Sequence, residues 1–355
     1  MALNRSDIPA AVLSLLAQGA AIPAHPLALD GRRNFDRRRQ RALTRYYVDA
    51  GAGGLAVGVH TTQFAIRERG LYETVLRSAM EDRLAWTDRA MAMIAGVCGG
   101  TAQATLEART AVGLGYHAGL VSLAALADSP EDALVAHCEA VAREIPIIGF
   151  YLQTAVGGPT LSSEFWRRFA MIPNALAIKV APFNRYRTLD VVRGLVDAGA
   201  EERVYLYTGN DDHIILDLAL PFTAMRDGVA VTVRFRGGLL GHWSVWTASA
   251  VAQLARIKAD LQRANGTLSP ELLALDSRVT DCNSAFFDVA NNFHGCIAGC
   301  HEVLRRQGLL EGIWCLDPAE GLGAGQSQEI DRVYRQHGDL SDDAFVRANL
   351  ARWLS

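Results

Sequence analysis

Lysine is almost absent from this sequence of 355 residues. Its positive charges are carried by 33 arginines and only two lysines, Lys179 and Lys258. Arginine stays protonated in proteins, whereas a lysine that is removed from water can act as a neutral amine nucleophile. The two positions that kept lysine are therefore the first candidates for chemistry that arginine cannot perform.

Lys179 lies within an apolar run, Ala175-Leu-Ala-Ile-Lys-Val-Ala181. Burial in such a run disfavours an ammonium ion and favours the neutral amine. That amine could attack a ketone, and the resulting iminium would permit carbon–carbon cleavage or loss of a β-substituent. A lysine that extends to solvent from a strand end, or that pairs with a carboxylate, would give the same pattern. The scarcity of lysine favours the nucleophile.

Polar groups also stand at the ends of two other apolar runs. Tyr151 ends the run at 147–151, where a phenol beside an amine could relay protons. A core tyrosine with a satisfied hydroxyl would look the same. Thr61 and Thr62 follow the run at 54–59, and their hydroxyls and amides could hold a carboxylate, although ordinary turns also use threonine.

Eight apolar segments predict the strands that would position these groups. Most lack the alternation of a half-exposed strand, as expected for parallel strands that are covered on both faces. The predicted strands are 20–24, 54–60, 91–98, 118–123, 146–152, 175–181, 203–208 and 229–234.

Helical segments separate these strands and suggest the fold class. The segment 130–144 begins with Ser129 and Pro130 and has apolar residues at helical spacing. Eight strand–helix alternations predict a (β/α)8 barrel over residues 1–245, with a doubly wound open sheet as the main alternative. Residues 246–355 are predicted to form a helical C-terminal region packed on the barrel, with one short strand at 313–316. The helices predicted from residue 244 onward are 244–264, 270–275, 284–307, 328–336 and 342–354.

Composition narrows the class of protein. The net charge of −3 gives no basic surface for nucleic acid, and no apolar run reaches the roughly 18 residues of a membrane span. Six dispersed cysteines favour reduced thiols and a cytoplasmic location. The apolar segment 8–24 could be a secretory signal, but Asp7 stands where a positive flank is expected, so we predict a short helix there.

Four segments together resemble the dihydrodipicolinate synthase and N-acetylneuraminate lyase superfamily of class I aldolases. The resemblance covers most of residues 20–260. The segments that carry it are Gly54-Leu-Ala-Val-Gly-Val-His-Thr-Thr62, Ile147-Ile-Gly-Phe-Tyr-Leu-Gln-Thr154, Asn174-Ala-Leu-Ala-Ile-Lys179 and Tyr207-Thr-Gly-Asn-Asp-Asp212. They are similar to the family's Thr-Thr motif, catalytic tyrosine, Schiff-base lysine and Ser-Gly-Asp-Asp motif, in the same order and at the same spacing.

The resemblance implies a role for each matching position. Lys179 would form a Schiff base with pyruvate or a related 2-oxo acid, and Tyr151 would shuttle protons. Thr61 and Thr62 would bind the carboxylate of the 2-oxo acid, and Gly209 would line the substrate site. The family also implies that no cofactor or metal is needed, that an aldehyde is the second small-molecule partner, and that the protein is a homo-oligomer.

Several positions depart from the family pattern. His60 replaces the glycine before the Thr pair, and Gln63-Phe64 replaces the Gly-Glu after it. Val156 stands where the synthase has an arginine for a second carboxylate, and the segment 123–127 lacks the family tyrosine. We therefore expect a less charged second substrate than aspartate semialdehyde, with His60, His25 and Gln63 as neutral hydrogen-bonding groups for its tail.

Two other classes of function remain open from the sequence. The altered residues around Tyr151 suggest a barrel that binds sugar acids without catalysis. Histidines near predicted strand ends suggest a metal-dependent hydrolase, although the first strand lacks a His-x-His pair. The histidines concerned are His25, His60, His117 and His213. A separate group, His294, Cys296, Cys300 and His301, could bind a metal, although the small residues between them also suit close helix packing.

Overall fold

The computed structural model describes residues 2–263 and 268–355. Its strands, in chain order, are β1 Ala21–Pro23, β2 Gly54–Val57, β3 Ala92–Val97, β4 Ala118–Val121, β5 Ile147–Leu152, β6 Ala175–Ala181, β7 Tyr205–Thr208, β8 Phe222–Arg226, β9 Val229–Val233 and β10 Phe235–Leu240. The α-helices are α1 Ala10–Gln18, α2 Arg37–Asp49, α3 Tyr72–Trp86, α4 Thr101–Gly113, α5 Glu131–Ala142, α6 Ser163–Met171, α7 Arg185–Asp197, α8 Ile214–Ala219, α9 Thr247–Arg263, α10 Pro270–Phe286, α11 Cys296–Arg306, α12 Gln326–His337 and α13 Asp343–Trp353.

Contacts group these elements into two compact units. The first comprises Met1–Ala20 and Ala92–Leu239, and the second comprises Ala21–Met91 and Leu240–Ser355. This grouping differs from the predicted domains 1–245 and 246–355, which remain a prediction. Within the described residues, no helix has the length and the apolar character that a membrane span requires.

Parallel strands form the centre of the first unit. Their spatial order is β10, β7, β6, β5, β4 and β3, with a helix between successive strands of β3 to β7. All residues of β3, β5 and β6 are buried, as predicted from their unbroken apolar runs. Helix boundaries follow ordinary capping chemistry, because Ser162 Oγ accepts from Phe165 N at 3.1 Å and Asn184 Oδ1 accepts from Tyr186 N at 3.0 Å.

The prediction of the eighth strand at 229–234 was wrong. Val229–Val233 pairs antiparallel with Phe222–Arg226 in a separate two-stranded sheet. The strand that pairs in parallel with β7 is β10, Phe235–Leu240. The β-branched run at 229–233 gives a strong strand signal, but the Asp227-Gly228 turn before it is typical of a hairpin.

Close backbone packing explains why β10 lacks an apolar signature. A Cβ on Gly237 would lie 2.3 Å from Ala20 O, and a Cβ on Gly19 would lie 1.6 Å from Arg236 O. Gly19 also has a φ of 90°, which side chains rarely adopt. The close approach requires glycine on both segments, and glycine removes the hydrophobic pattern by which a strand is predicted.

The second unit holds β1, β2 and the C-terminal helices together through buried hydrogen bonds. The Tyr46 hydroxyl donates to Asp342 Oδ2 at 2.7 Å and accepts from Thr247 N at 2.8 Å. The Tyr47 hydroxyl donates to Ser244 O at 2.8 Å, and Ser244 Oγ donates to Ala24 O at 2.5 Å. The C-terminal helices are thus tied to α2 and to the end of β1.

The C-terminal predictions need three corrections. The segment 284–307 is two helices, because the intervening residues Asp288, Asn292 and Phe293 have positive φ. The helix predicted at 270–275 extends to Phe286. The strand predicted at 313–316 is absent from this described segment, whose backbone is irregular. Ala264, the predicted end of the helix that begins near 244, lies outside the described residues.

Candidate active site

Lys179 lies in the middle of the first unit on β6, where only 7% of the residue is exposed. The neighbouring strands place Phe150 and Tyr207 directly beside it. The Nζ atom lies 4.3 Å from the centroid of the Phe150 ring, a distance at which the ring attracts an ammonium ion. The structure therefore provides the buried, mainly apolar environment that the sequence predicted for this amine.

Gly209 leaves the space that the Lys179 side chain occupies. A Cβ at position 209 would lie 2.7 Å from Lys179 Cε and 2.8 Å from Ala181 Cβ. The sequence placed Gly209 in the substrate site through its resemblance to the family motif. The structure adds a physical reason for glycine here, since a side chain would crowd both Lys179 and Ala181.

A hydrogen-bond network fixes the turn that carries Gly209. Thr208 Oγ1 donates to Asp217 Oδ2 at 2.6 Å, and Asn210 Nδ2 donates to the same oxygen at 2.9 Å. Arg185 completes the network by pairing with Asp217, whose side chain is fully buried. The Asn210 part of the family-like motif therefore has a structural role, and it holds Gly209 in place against Lys179.

Tyr151 does not lie beside Lys179, contrary to the arrangement expected from the sequence. Successive side chains of a strand point to opposite faces, and Phe150 occupies the face that Lys179 shares. The Tyr151 ring packs 5.3 Å from the Trp166 ring of α6. Its hydroxyl donates to Leu161 O and accepts from Leu161 N, both at 3.2 Å. Burial raises the pKa of Tyr151, so the phenol stays protonated at neutral pH.

We therefore expect Tyr151→Phe to act on stability more than on turnover. Losing both bonds to Leu161 leaves a buried backbone N–H unsatisfied, which should lower the free energy of unfolding by about 1–3 kcal/mol. Turnover should stay within about tenfold of the parent, because the hydroxyl acts on the loop after β5. Urea unfolding and steady-state kinetics measure the two effects. A loss of turnover of about 10²–10⁴-fold at unchanged stability would restore the proton relay.

In the second unit, Thr61 and Thr62 follow β2 in a 3-10 turn at His60–Thr62. The Thr62 hydroxyl is used inside the fold, since it donates to His25 O at 2.7 Å and accepts from Gly58 N at 2.9 Å. The Thr61 hydroxyl makes no hydrogen bond within the part of the chain that the structure describes, although Thr61 is only 7% exposed. Sequence reasoning gave Thr61 and Thr62 the same role, but only the Thr62 hydroxyl is bonded within the fold.

The two other candidates near this turn also differ from each other. The ring of His60 is partly exposed and lies 5.8 Å from the ring of Phe64. Gln63 is buried, and its Oε1 accepts from Leu316 N of the C-terminal region at 2.6 Å. Sequence reasoning could not find this bond, because 253 positions separate the two residues.

His25 has a structural role in the second unit. Its Nε2 lies 2.9 Å from Thr44 Oγ1, and its Nδ1 lies 2.9 Å from Gln40 Nε2. The same Nδ1 also lies 2.9 Å from Pro26 O, so the ring is enclosed by polar partners on both of its nitrogens. Burial lowers the pKa of His25 to about 4. These contacts account for His25 without a substrate or a metal.

The buried histidines predict how stability depends on pH. Burial lowers the pKa of His25, His242 and His301 to about 4, below the ordinary value of 6.5. Between pH 6.5 and 4 the unfolded chain binds more protons at these positions, so stability falls as the pH falls through this window.

Each histidine should contribute roughly 1–3 kcal/mol to this loss. Urea unfolding at pH 7 and pH 5 measures the difference, with His301→Met as the variant in which the difference shrinks. A midpoint that is the same at both pH values would contradict this account of the buried rings.

The described residues give little support to the hypothesis of a metal-dependent hydrolase. Across residues 2–263 and 268–355, no three side chains of His, Cys, Asp or Glu are grouped so as to hold a metal ion. His117 lies at the start of β4, where its Nδ1 accepts from Met93 N at 3.0 Å, and His213 precedes α8. Cys296 and Cys300 lie on α11 and are not joined by a disulfide.

Comparison with known proteins gives matches at the level of structure. No family model matches the sequence, and no curated protein matches it. A monomeric dihydrodipicolinate synthase variant matches with a TM-score of 0.72 and 16% identity, over 91% of this chain and 98% of that one.

Two further solved structures match this chain with similar TM-scores and sequence identities. The chloride-inhibited dihydrodipicolinate synthase from Acinetobacter baumannii, complexed with pyruvate, has a TM-score of 0.71 and 17% identity over 90% and 99% of the two chains. N-acetylneuraminate lyase from Fusobacterium nucleatum has a TM-score of 0.68 and 14% identity over 90% of this chain and 99% of that one.

The prediction of a (β/α)8 barrel is confirmed, and the alternative of a doubly wound open sheet is not needed. This chain has a (β/α)8 barrel fold with a helical C-terminal extension, and it is similar in structure to dihydrodipicolinate synthases and N-acetylneuraminate lyases.

Proposed function

We propose that this protein is a class I aldolase-type lyase in which Lys179 forms a Schiff base with pyruvate or a related 2-oxo acid. The observation that carries the proposal is the position of Lys179, buried on β6 with its side chain in space that Gly209 leaves free. The fold is shared with lyases of this kind, one of which is complexed with pyruvate. No cofactor is part of the proposal.

The proposed chemistry uses the amine as an electron sink once the imine has formed. The neutral Nζ attacks the C2 carbonyl carbon of the 2-oxo acid, and the carbinolamine loses water to give an iminium. In aldol cleavage the C4 hydroxyl loses its proton, the electrons of the C3–C4 bond move into the iminium to leave an enamine, and the aldehyde departs; protonation of the enamine at C3 and hydrolysis then release the 2-oxo acid and regenerate Lys179. In dehydration the iminium promotes loss of a proton from C3, and the electrons of the resulting enamine expel the C4 hydroxyl, which takes up a proton and leaves as water. Hydrolysis of the unsaturated iminium then releases the unsaturated 2-oxo acid and regenerates Lys179.

The carboxylate of the 2-oxo acid is assigned to the turn after β2. Thr61 is its primary residue in this proposal, because its hydroxyl has no partner among the described residues, whereas that of Thr62 is engaged within the fold. His60, partly exposed in the same turn, is proposed for the more distant part of the substrate. Gly209 is proposed to shape the space around the amine.

The second substrate is proposed to be an aldehyde with an uncharged tail. The loops after β4 and β5 carry 3-10 turns at Ala124–Leu126 and Thr154–Val156, whose side chains hold no charge. Burying an unpaired carboxylate against such groups is costly. Neutral aldehydes should therefore exceed aspartate semialdehyde in kcat/KM, as a panel of aldehydes with pyruvate would measure.

Binding without catalysis is the second candidate, and the position of Tyr151 favours it. The Tyr151 hydroxyl is bonded to the backbone of Leu161, so it does not lie beside the amine, where it could transfer protons. A sugar-acid-binding barrel would show a raised melting temperature with its ligand and no covalent adduct.

A homo-oligomer in the cytoplasm is part of the main proposal, and light scattering of the purified chain tests the oligomeric state.

Reductive trapping tests the proposed function. The purified protein is treated with pyruvate and borohydride, digested, and analysed by peptide mass spectrometry. The expected result is a stable adduct on the peptide that contains Lys179. Absence of an adduct with pyruvate and with longer 2-oxo acids would contradict the proposal.

A further inference from the structure

An open cleft in the second unit is lined by three arginines. Its volume is about 490 Å³, which is the size of a site for a small molecule. Arg32 and Arg33 belong to the loop after β1, and Arg69 precedes α3. Asn34 is the other polar residue among the described residues of the lining, none of which is acidic. The cleft therefore concentrates positive charge in a chain whose net charge is −3.

Two of these arginines have no ion-pair partner in the part of the chain that the structure describes. Among those residues, the guanidinium groups of Arg32 and Arg69 also make no hydrogen bond. Arg32 lies within electrostatic range of Asp30, but both oxygens of that carboxylate accept hydrogen bonds within its own turn. Asp317 is similarly engaged, since its Oδ1 accepts from Ala319 N at 2.9 Å. The two guanidinium groups are therefore available to an anion from outside the chain.

The third arginine is held in place by the fold. Arg33 has a φ of 60°, in the left-handed region that residues other than glycine seldom adopt, and such strain is concentrated at functional sites. Asp30 stabilises this turn, because its Oδ1 accepts from Arg32 N and Asn34 N, both at 2.8 Å. Arg33 Nε donates to Cys315 O at 2.9 Å. This bond orients the guanidinium before a ligand arrives, which lowers the entropy cost of binding.

Apolar residues form the rest of the cleft. Phe35 and Leu71 come from the two loops that carry the arginines, and Leu316 and Pro318 come from the C-terminal region. Leu316 is fixed by its own backbone, since its N–H donates to Gln63 Oε1 at 2.6 Å. Sites for organic ligands combine an apolar lining with a few polar groups in this way. The cleft therefore suits an anion that carries an apolar group.

The set of three arginines favours a phosphate group over a carboxylate. The planar guanidinium donates two parallel hydrogen bonds to phosphate oxygens, and such charge-assisted bonds are strong. A phosphate monoester offers three acceptor oxygens and close to two negative charges at neutral pH, so it can engage more than one arginine. A carboxylate offers two oxygens and a single charge.

We propose that the cleft lined by Arg32, Arg33 and Arg69 binds a small phosphate monoester whose organic part is apolar. The guanidinium groups hold the phosphate, and the organic part lies against the apolar residues of the lining. This binding does not depend on the proposed lyase chemistry, because it uses neither Lys179 nor a 2-oxo acid.

Titration calorimetry of the full chain with phenyl phosphate tests the proposal. We expect a Kd of about 0.1–1 mM, because a few charge-assisted bonds at an open cleft must offset the cost of association. Inorganic phosphate should bind about 5- to 20-fold more weakly, since it lacks the apolar ring. Phenol, which lacks the charge, should bind more weakly still. Added sodium chloride should weaken the binding of phenyl phosphate, because salt screens exposed charges.

Substitution of the exposed arginines tests the assignment of the site. Arg32→Gln and Arg69→Gln should each raise the Kd for phenyl phosphate by about 5- to 20-fold, because charge-assisted bonds are lost. Both residues are exposed, so the fold should survive either change. Arg69→Glu should abolish binding, since its carboxylate repels the phosphate. Arg256→Gln is the matched control, because Arg256 is an exposed arginine of α9 outside the cleft. It changes the net charge equally and should leave the Kd unchanged.

Three results would overturn the inference. The first is no binding of phenyl phosphate up to about 10 mM, by calorimetry or by a shift in melting temperature. The second is a Kd equal to that of the parent in all the Arg32 and Arg69 variants. The third is phenol binding as tightly as phenyl phosphate, since the arginines would then have no part in recognition. Borohydride trapping of pyruvate decides the proposed lyase function separately, and neither result alters the other.

Discussion

Replacing Lys179 by arginine is expected to abolish trapping of pyruvate and to lower turnover by at least about 10³-fold. Arginine keeps a positive charge that the ring of Phe150 can attract, so the fold should survive the change. It cannot form an imine under these conditions, because the guanidinium stays protonated. Mass spectrometry of the reduced protein measures the adduct, and circular dichroism checks the fold.

Lys258→Arg is the matched control, since Lys258 is the other lysine of the chain. It lies on α9, and burial lowers its pKa, so it is a reasonable competing nucleophile. The Lys258→Arg variant should form the adduct at the parent rate. If the labelled peptide contained Lys258, or if Lys179→Arg remained active, the proposed role of Lys179 would be wrong.

Gly209→Ala is expected to reduce trapping by about 10- to 100-fold while the protein remains folded. The new Cβ would lie 2.7 Å from Lys179 Cε, so either the backbone or the amine must shift. The network around Asp217 holds the backbone turn, and the lysine side chain has rotatable bonds, so the amine should move. Displacement of a catalytic group by about 1 Å can cost about 10²-fold in rate.

Gly113→Ala is the control for the cost of adding a methyl group. Gly113 is the last residue of α4, and no neighbouring atom lies within 4 Å of the position that its Cβ would occupy. This change should leave trapping unchanged and stability equal or slightly higher, because alanine favours a helix. Trapping by Gly209→Ala at the parent rate would show that Lys179 does not depend on this space.

Much of the fold could be predicted from the local sequence. Parallel strands buried on both faces need unbroken apolar runs, and such runs located seven of the eight barrel strands. The eighth strand was not predicted because β10 carries two adjacent glycines, of which Gly237 lets the backbone of Ala20 approach closely. The hairpin β8–β9 has the stronger β-branched signal, yet it pairs only with itself.

The candidate site was also predicted only in part from the local sequence. The type of residue at 179 and its apolar surroundings determined the proposal of a buried amine, because desolvation depends mainly on the residues of one strand and its neighbours. The register between β5 and β6 decided which side chain of β5 lies beside this amine. Phe150, and not Tyr151, shares the face of Lys179, since one position along a strand reverses the direction of a side chain.

Contacts between distant segments were decided only by the tertiary structure. The sequence makes Thr61 and Thr62 equivalent, but the bonds to His25 and Gly58 leave one hydroxyl engaged and the other available. The same holds for Gln63, whose amide is oriented by Leu316 from a region with no recognisable motif. Local sequence determines burial and secondary structure through periodicity, whereas the partner of a polar group depends on which remote segment the folded chain brings within hydrogen-bonding distance.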